Sequence, residues 1–329
     1  MIDFTVTESE GARFDRWLAE RVEGRARNQI QHDIEAGRVR VDGQPQPARY
    51  RVALGDHIEY DLPEPPDHAL QPEAMALAIV YEDEQMIVID KPAGLVVHPA
   101  PGHRGGTVAN ALLAHCGPSL AGVGGEWRWG IVHRLDQGTS GLMMAAKTQP
   151  AYDALVAALA ERRVSRQYLG IVIGSFKEGE GSVDRPIGRR PNDRKRMGIL
   201  AEGRAARTDW RMLCQGGGLA LLGLALHSGR THQIRVHLQS IGHPVLGDPD
   251  YGWTKPRTLQ EMGQRQRPAL AAVWPARQML HAARLSLEHP TEPGRHLRLA
   301  SSIPEDMERV MATMWDEAWR AAVTQWLAQ

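Results

Sequence analysis

Residues 131–148 read Ile-Val-His-Arg-Leu-Asp-Gln-Gly-Thr-Ser-Gly-Leu-Met-Met-Ala-Ala-Lys-Thr, setting one carboxylate, Asp136, between a basic residue and a Gly-Thr-Ser-Gly turn. Apolar stretches lead into and out of these polar residues, so they are expected at a bend between two buried elements. A carboxylate held there is fixed rather than solvated, and it can serve as a nucleophile, a base or a stabiliser of developing positive charge. Burial penalises the charged form of a carboxylate, so this chemistry requires a cation close by. Arg230 is the candidate: it follows Ser228-Gly229 at a strand end and opens Thr231-His232-Gln233-Ile234-Arg235, which has helix-forming spacing. Arginine suits the part because it stays charged and offers a planar fork of donors. The alternative is that Arg230 caps a helix or binds a phosphate. Gly138 and Gly141 are expected to permit tight turns, with Thr139 and Ser140 supplying local hydrogen bonds.

Other chemistries find less support. His232 and His237 are five apart, not on one helical face, and no glutamate accompanies them as in a zinc motif. Gly138-Thr139-Ser140-Gly141 lacks the spacing of a hydrolase nucleophile elbow. Gly122-Val123-Gly124-Gly125 does not follow a strand as a dinucleotide-binding loop does. No carboxylate with acid-like surroundings partners Asp136 as a glycan hydrolase would require.

The elements that must position these residues form two groups. In residues 13–37, Phe14, Trp17, Leu18 and Val22, then Ile30 and Ile34, fall at helical spacing, and Gly37 stands where a C-cap is needed. Residues 38–41 and 57–62 alternate like strands, the first ending at an Asp42-Gly43 turn. A polar stretch with three prolines, Leu62-Pro63-Glu64-Pro65-Pro66-Asp67-His68, favours extended backbone and marks a linker, taken as 63–76. The chain is thus divided into 1–62, the linker, and 77–329. In the last part, strand-like runs (86–90, 168–173, 219–227) alternate with helical ones (151–163, 231–240, 303–328). Trp315, Trp319, Val323 and Trp326 sit at helical spacing in what reads as one terminal helix packed on the core. The pattern supports an α+β class.

With 329 residues and 42% hydrophobic content, two domains are expected. The two cysteines, Cys116 and Cys214, form no framework, so a reducing cytoplasm fits. Neither a signal peptide nor an apolar span of membrane length is visible, and a soluble protein is expected. The 39 basic residues balance 39 acidic ones, so net charge does not identify the partner. Clustering matters more: residues 185–196 hold Arg185, Arg189, Arg190, Arg194, Lys195 and Arg196 around Asp184 and Asp193, either a phosphate-binding face or a solvated loop.

The run His133-Arg134-Leu135-Asp136 with Thr139-Ser140-Gly141 resembles the signature of the RluA/RluD family of pseudouridine synthases. So do four further blocks, in family order with it: Asp90-Lys91-Pro92-Ala93-Gly94-Leu95-Val96-Val97-His98-Pro99, Gly229-Arg230-Thr231-His232-Gln233-Ile234-Arg235-Val236-His237, Gly242-His243-Pro244-Val245-Leu246-Gly247-Asp248-Pro249-Asp250-Tyr251-Gly252, and Leu280-His281-Ala282. The whole-chain likeness is nearest the RluD type. It implies a mixed, largely antiparallel sheet with a small N-terminal alpha-L RNA-binding domain, and a cofactor-free isomerase converting uridine to pseudouridine in structured RNA. Large-subunit (23S) ribosomal RNA is the implied substrate, with transfer RNA as the alternative.

By the same resemblance Asp136 is the catalytic aspartate, Arg230 its ion-pair partner, and Tyr168, in Arg166-Gln167-Tyr168-Leu169-Gly170, the active-site tyrosine that stacks on the base. Arg134 is implied to fill the space of a flipped uridine, a step needed because a stacked base hides its reacting atoms. His133, Thr139 and Leu280 complete the implied substrate site, His133 by orienting the loop. Asp136 could attack C1′, stabilise charge on the sugar or help remove a ribose proton. This chain departs from the family at Ser228, where threonine is usual, at Gln137-Gly138, where a charged pair is frequent, and at Arg25 to His32, which carries fewer positive charges than the usual second helix. No metal is expected, and the protein is expected to act as a monomer. The rival from another class is a non-catalytic RNA-binding ribosome-assembly factor on the same fold.

Overall fold

Leu219–Leu226 and Ser140–Ala146 are apolar at nearly every position rather than at alternate ones, the mark of strands covered on both faces. In the computed structural model both are interior strands of one sheet. It describes residues 2–8, 11–22, 27–62, 70–100, 105–125, 127–191 and 193–328, without the side chains of 28, 29 and 194. Residues 63–69 of the expected linker, Arg25 and Ala26 of the expected second helix, and the Arg194 side chain lie outside the described residues.

The chain forms two compact units, Met1–Ala69 and Leu70–Gln329. In the first, α1 (Phe14–Ala19) and α2 (Arg27–Glu35) accompany a sheet of β1 (Ile2–Thr5), β2 (Val39–Val41), β3 (Gln44–Pro45) and β4 (His57–Tyr60), in the order β1-β4-β2-β3. The helical positions Phe14, Trp17, Leu18, Ile30 and Ile34, with Val22 just beyond α1, are buried in one cluster with Val39, Val41, Ile58 and Tyr60. Gly37, at φ 73°, ends α2 in the left-handed region open to glycine.

The second unit is built on a nine-stranded sheet among the described residues. Its strands are β5 (Ile79–Glu82), β6 (Met86–Lys91), β7 (Ser140–Ala146), β8 (Ser165–Ile173), β9 (Glu180–Asp184), β12 (Arg207–Gly216), β13 (Leu219–Leu226), β14 (Leu280–Glu288) and β15 (His296–Ala300), while β10 (Ile187–Arg190) and β11 (Asp193–Ile199) form a separate hairpin. The order is β5-β6-β7-β14-β8-β13-β12-β9, with β15 on β14. Every one of these pairings is antiparallel except β7 with β14.

Alternation divides the core. Leu169, Ile171, Leu219 and Leu221 face a cluster completed by the C-terminal helices, whereas Tyr168, Val172, Ala220 and Leu222 face the other, with Met86–Ile89 and Leu142–Ala146. Helices α3 (Val108–Cys116) and α4 (Gln149–Ala160) pack on that second side, and α5 (Gln233–Ser240), α6 (Lys255–Glu261) and α7 (Gln266–Ala272) follow β13.

The C-terminal segment differs from the single helix expected. It is two helices, α8 (Glu305–Trp315) and α9 (Ala318–Ala328), broken at Asp316, whose φ of 48° and ψ of −123° cannot continue a helix. Trp315, Trp319, Val323 and Trp326 are nevertheless all buried in one cluster. The basic stretch read as either a phosphate face or a loop is the β10–β11 hairpin, anchored by Ile187, Met197 and Ile199 against Val236 and Tyr251.

Candidate active site

Three central strands bring the chemistry together. The turn after Asp136 enters β7, whose Ser140 and Gly141 pair in parallel with His281 and Ala282 of β14, and Ala282 in turn faces Tyr168 of β8. Gly141 is required twice over: φ is 110°, and a Cβ there would stand 2.3 Å from the Ala282 carbonyl oxygen. Gly138 sits in the tight turn expected there without a positive φ. A Cβ there would lie 2.3 Å from Gln278 Oε1, so a larger residue would require that side chain to move. The Thr139 amide donates to the Asp136 carbonyl at 3.0 Å, closing the turn, and its buried hydroxyl accepts from Gln278 Nε2 at 3.3 Å.

A cavity of about 710 Å³ opens beside this turn and is lined by Asp136, Tyr168, Arg230, Arg134, His133, Thr139 and Leu280, all seven residues singled out from sequence. Seven arginines line it (128, 134, 162, 166, 207, 230 and 235) against two aspartates, Asp136 and Asp184. A concave surface of that balance favours a polyanionic ligand.

The ion pair differs from the sequence expectation. Asp136, with its side chain 17% exposed, accepts from Arg235 Nη1 at 3.1 Å, not from Arg230. Arg230 directs its Nε to the Ala205 carbonyl at 3.2 Å, and its amide donates to Gln233 Oε1. The reason is local: His232 takes a left-handed φ of 56° and α5 begins at Gln233, so Arg230 stays outside the helix while Arg235 points inward from the first turn. Arg235 also makes two bonds to fully buried Asp248, 2.7 Å from Nε and 2.8 Å from Nη2, and a third at 2.7 Å to Asp250. Burial opposes its charge, but Asp248, Asp136 and Asp250 together raise its pKa above the ordinary arginine value. The readable signal was a charged residue inside the apolar helical run Ile234, Val236, Leu238, with Asp248-Pro249-Asp250 to meet it.

His232 stands on the other side of the carboxylate, with Nε2 3.9 Å from Asp136 Oδ1 and Nδ1 2.8 Å from the Tyr251 hydroxyl. Burial lowers its pKa, and Asp136 counters that. Tyr168 is 5% exposed, and its hydroxyl has no hydrogen-bond partner among the described residues. Burial raises its pKa, with Arg166 opposing and Asp136 adding, so the phenol is neutral at physiological pH. His133 accepts the Met144 amide on Nε2 at 3.1 Å, which assigns the ring proton to Nδ1, and burial with nearby Arg166 pushes its pKa down to about 3. It therefore orients the loop as a neutral imidazole. Arg134 is exposed at the cavity, and Leu280 is buried at the head of β14.

Lys91 is a residue of the site that sequence reasoning quoted without assigning a role. Fully buried at the end of β6, its ammonium donates to the carbonyls of Pro92 (2.8 Å), Leu95 (2.9 Å) and Gln137 (3.2 Å), tying the turn beside Asp136 to the segment after β6. Burial lowers its pKa to about 8, and the Asp136 charge works against that shift. The only metal-like grouping among the described residues, Asp83, His289 and Glu292, lies outside the cavity. There His289 turns Nε2 to Asp83 (2.7 Å) and Nδ1 to Glu292 (3.4 Å).

Comparison with known proteins gives this geometry a context. Residues 85–240 match the family model of RNA pseudouridylate synthases, and residues 12–58 match the S4 domain. An uncharacterized RNA pseudouridine synthase of Synechocystis sp. is 44% identical over 305 residues, covering 92% of this chain and 88% of its own. The ribosomal large subunit pseudouridine synthase D of Nitrosomonas europaea is 43% identical over 312 residues, 94% of this chain and 87% of its own. Among solved structures, human RNA pseudouridylate synthase domain containing 1 shares the fold, with a TM-score of 0.54 at 24% identity over 79% of this chain and 97% of its own.

Proposed function

The chain belongs to the RNA pseudouridylate synthase family, and on that footing we propose that it isomerises uridine in large-subunit ribosomal RNA with Asp136 as the catalytic carboxylate. The observation that carries this reading is the Asp136–Arg235 pair inside an arginine-lined cavity that Tyr168 also lines. The reaction breaks the bond from uracil N1 to ribose C1′, turns the base and joins C5 to C1′; the proton lost from C5 is balanced by one gained at N1. A carboxylate can attack C1′, stabilise positive charge there or take a ribose proton. Each role needs it aimed by a fixed cation, which Arg235 supplies because Asp248 and Asp250 hold the guanidinium still.

Tyr168 supplies a stacking face, and as a neutral phenol it acts as a hydrogen-bond donor or relay rather than as a standing base. Arg134, exposed at the cavity, enters the stack left by the flipped uridine. His133, Thr139 and Leu280 shape the pocket around the base, and Arg230, freed from the ion pair, contacts the RNA backbone. In this proposal residues 1–62 form the RNA-binding module, 63–76 the linker and 77–329 the catalytic domain. The protein works without a partner subunit in the cytoplasm, in keeping with its free thiols Cys116 and Cys214.

The purified protein, given large-subunit ribosomal RNA labelled with tritium at uridine C5, should release tritium and leave pseudouridine in the chain. Release from transfer RNA alone would move the substrate to that class. Free uracil in place of pseudouridine would reject isomerisation for hydrolysis.

A further inference from the structure

Among the described residues, Arg166 is a buried cation with no carboxylate to neutralise it. It lies near the start of β8, two residues before Tyr168 and on the same face, with 9% of its surface exposed. Its Nε is buried without a hydrogen-bond partner, and among the described residues no carboxylate pairs with it. Arg235, the other buried arginine lining this cavity, is by contrast surrounded by three aspartates. A guanidinium withdrawn from water without such partners is destabilising, so a fold that keeps one has a ligand in place of the missing anion.

Two further observations mark the place as a site. The Nδ1 of His133, which carries the ring proton because Nε2 accepts from Met144, is also buried without a partner, and the Arg166 charge is close enough to depress that imidazole. Both residues line the cavity, and both present only donors. Gly229 keeps the space open: a Cβ there would stand 2.9 Å from Arg166 Nη1.

We propose that Arg166, with the Nδ1–H of His133 beside it, holds a phosphodiester group of the RNA next to the target nucleotide. Residues i and i+2 of a strand stand about 7 Å apart on one face, a reach that fits a base stacked on Tyr168 and its own flanking phosphate at Arg166. A uracil carbonyl would also accept a hydrogen bond, but only a phosphate supplies the charge the guanidinium lacks. This inference rests on the proposal that the cavity takes RNA, and its test reads binding, so it can fail while turnover persists.

The probe is a short RNA with a single uridine, in which one phosphodiester at a time is replaced by an uncharged methylphosphonate. Affinity is measured by fluorescence anisotropy over a range of salt. Wild type should lose affinity at one phosphate flanking the uridine, whereas Arg166→Gln should start weaker and be insensitive to that same replacement. The slope of log affinity against log salt should fall by about 0.7 in Arg166→Gln, the value for one single-strand phosphate contact, and should be kept in Arg166→Lys. Gly229→Ala, which crowds the guanidinium, should weaken binding at the same phosphate.

Thermal unfolding separates this role from a structural one, because removing an unpaired buried charge leaves the midpoint unchanged or higher, while removing a structural anchor lowers it. An unchanged salt slope, equal sensitivity of wild type and Arg166→Gln to every methylphosphonate, or a lowered midpoint would each overturn the proposal. Turnover of the same RNA by wild type separately reports whether the cavity isomerises uridine.

Discussion

Arg235 and Arg230 lie five residues apart, line the same cavity and predict opposite behaviour. Arg235→Met strands the fully buried Asp248 and leaves Asp136 without its partner, so it should lower stability by about 3–5 kcal/mol in denaturant unfolding and abolish turnover. Arg230→Ala removes one bond to a carbonyl and should stay within about 0.5 kcal/mol of wild type while weakening RNA binding. If Arg230→Ala were the one to unfold or lose all turnover, the pairing drawn here would be wrong. Tyr168 makes a separate statement about pH. A phenol whose pKa is raised stays protonated as pH rises past its ordinary value of 10.0, so it contributes no ionisation near neutrality. Tyr168→Phe should be slower than wild type with a pH–rate profile of the same shape; a neutral-range limb present only in wild type would instead identify Tyr168 as a titrating base. That Asp136, Arg134 and Tyr168 share a cavity was legible because sequence blocks carry them. The true counter-ion was not, because its choice depends on where α5 begins, and a left-handed His232 shifts that start beyond the reach of spacing rules.

The elements around the site are strands whose apolar composition announced them and whose neighbours it could not. The parallel pairing of β7 with β14 joins segments about 140 residues apart, a relation that no local pattern encodes, yet it sets the turn after Asp136 beside Leu280 and Tyr168. Lys91 fastens the other side of that turn. Lys91→Met would leave the Pro92 and Leu95 carbonyls unpaired, Gln137 keeping its bond from the Gly94 amide, and should be destabilising by about 2 kcal/mol or more. Its pH signature has a definite sign. The folded-state pKa of about 8 is below the ordinary 10.5, so between these values the unfolded chain binds more protons than the native one, and native stability rises with pH. Wild type should therefore gain stability relative to Lys91→Met from about pH 8 upward in denaturant unfolding. Parallel curves for the two would mean that the lysine titrates normally. The terminal helix was misjudged as continuous for a related reason: the tryptophan spacing persists across Asp316 because both helices bury against one cluster, so periodicity alone hides the break.

Over the whole molecule, charge balances at 39 against 39, and only the fold turns that balance into an arginine-lined cavity. Composition could not show this, because the compensating acids lie elsewhere in the chain. The N-terminal unit has its own buried core of Phe14, Trp17, Leu18, Ile30 and Ile58, which predicts that the chain without residues 1–62 remains folded. Such a truncation should bind ribosomal RNA more weakly and modify it less selectively while still converting some uridine. A folded truncation with no turnover would show that the module does more than bind. Asp136 carries the proposed chemistry, and its most direct test is a map of pseudouridine in large-subunit ribosomal RNA from cells whose only copy carries Asp136→Asn. The account predicts that specific uridines modified with the wild-type protein remain uridine, although the variant is folded and binds RNA; an unchanged map would contradict it.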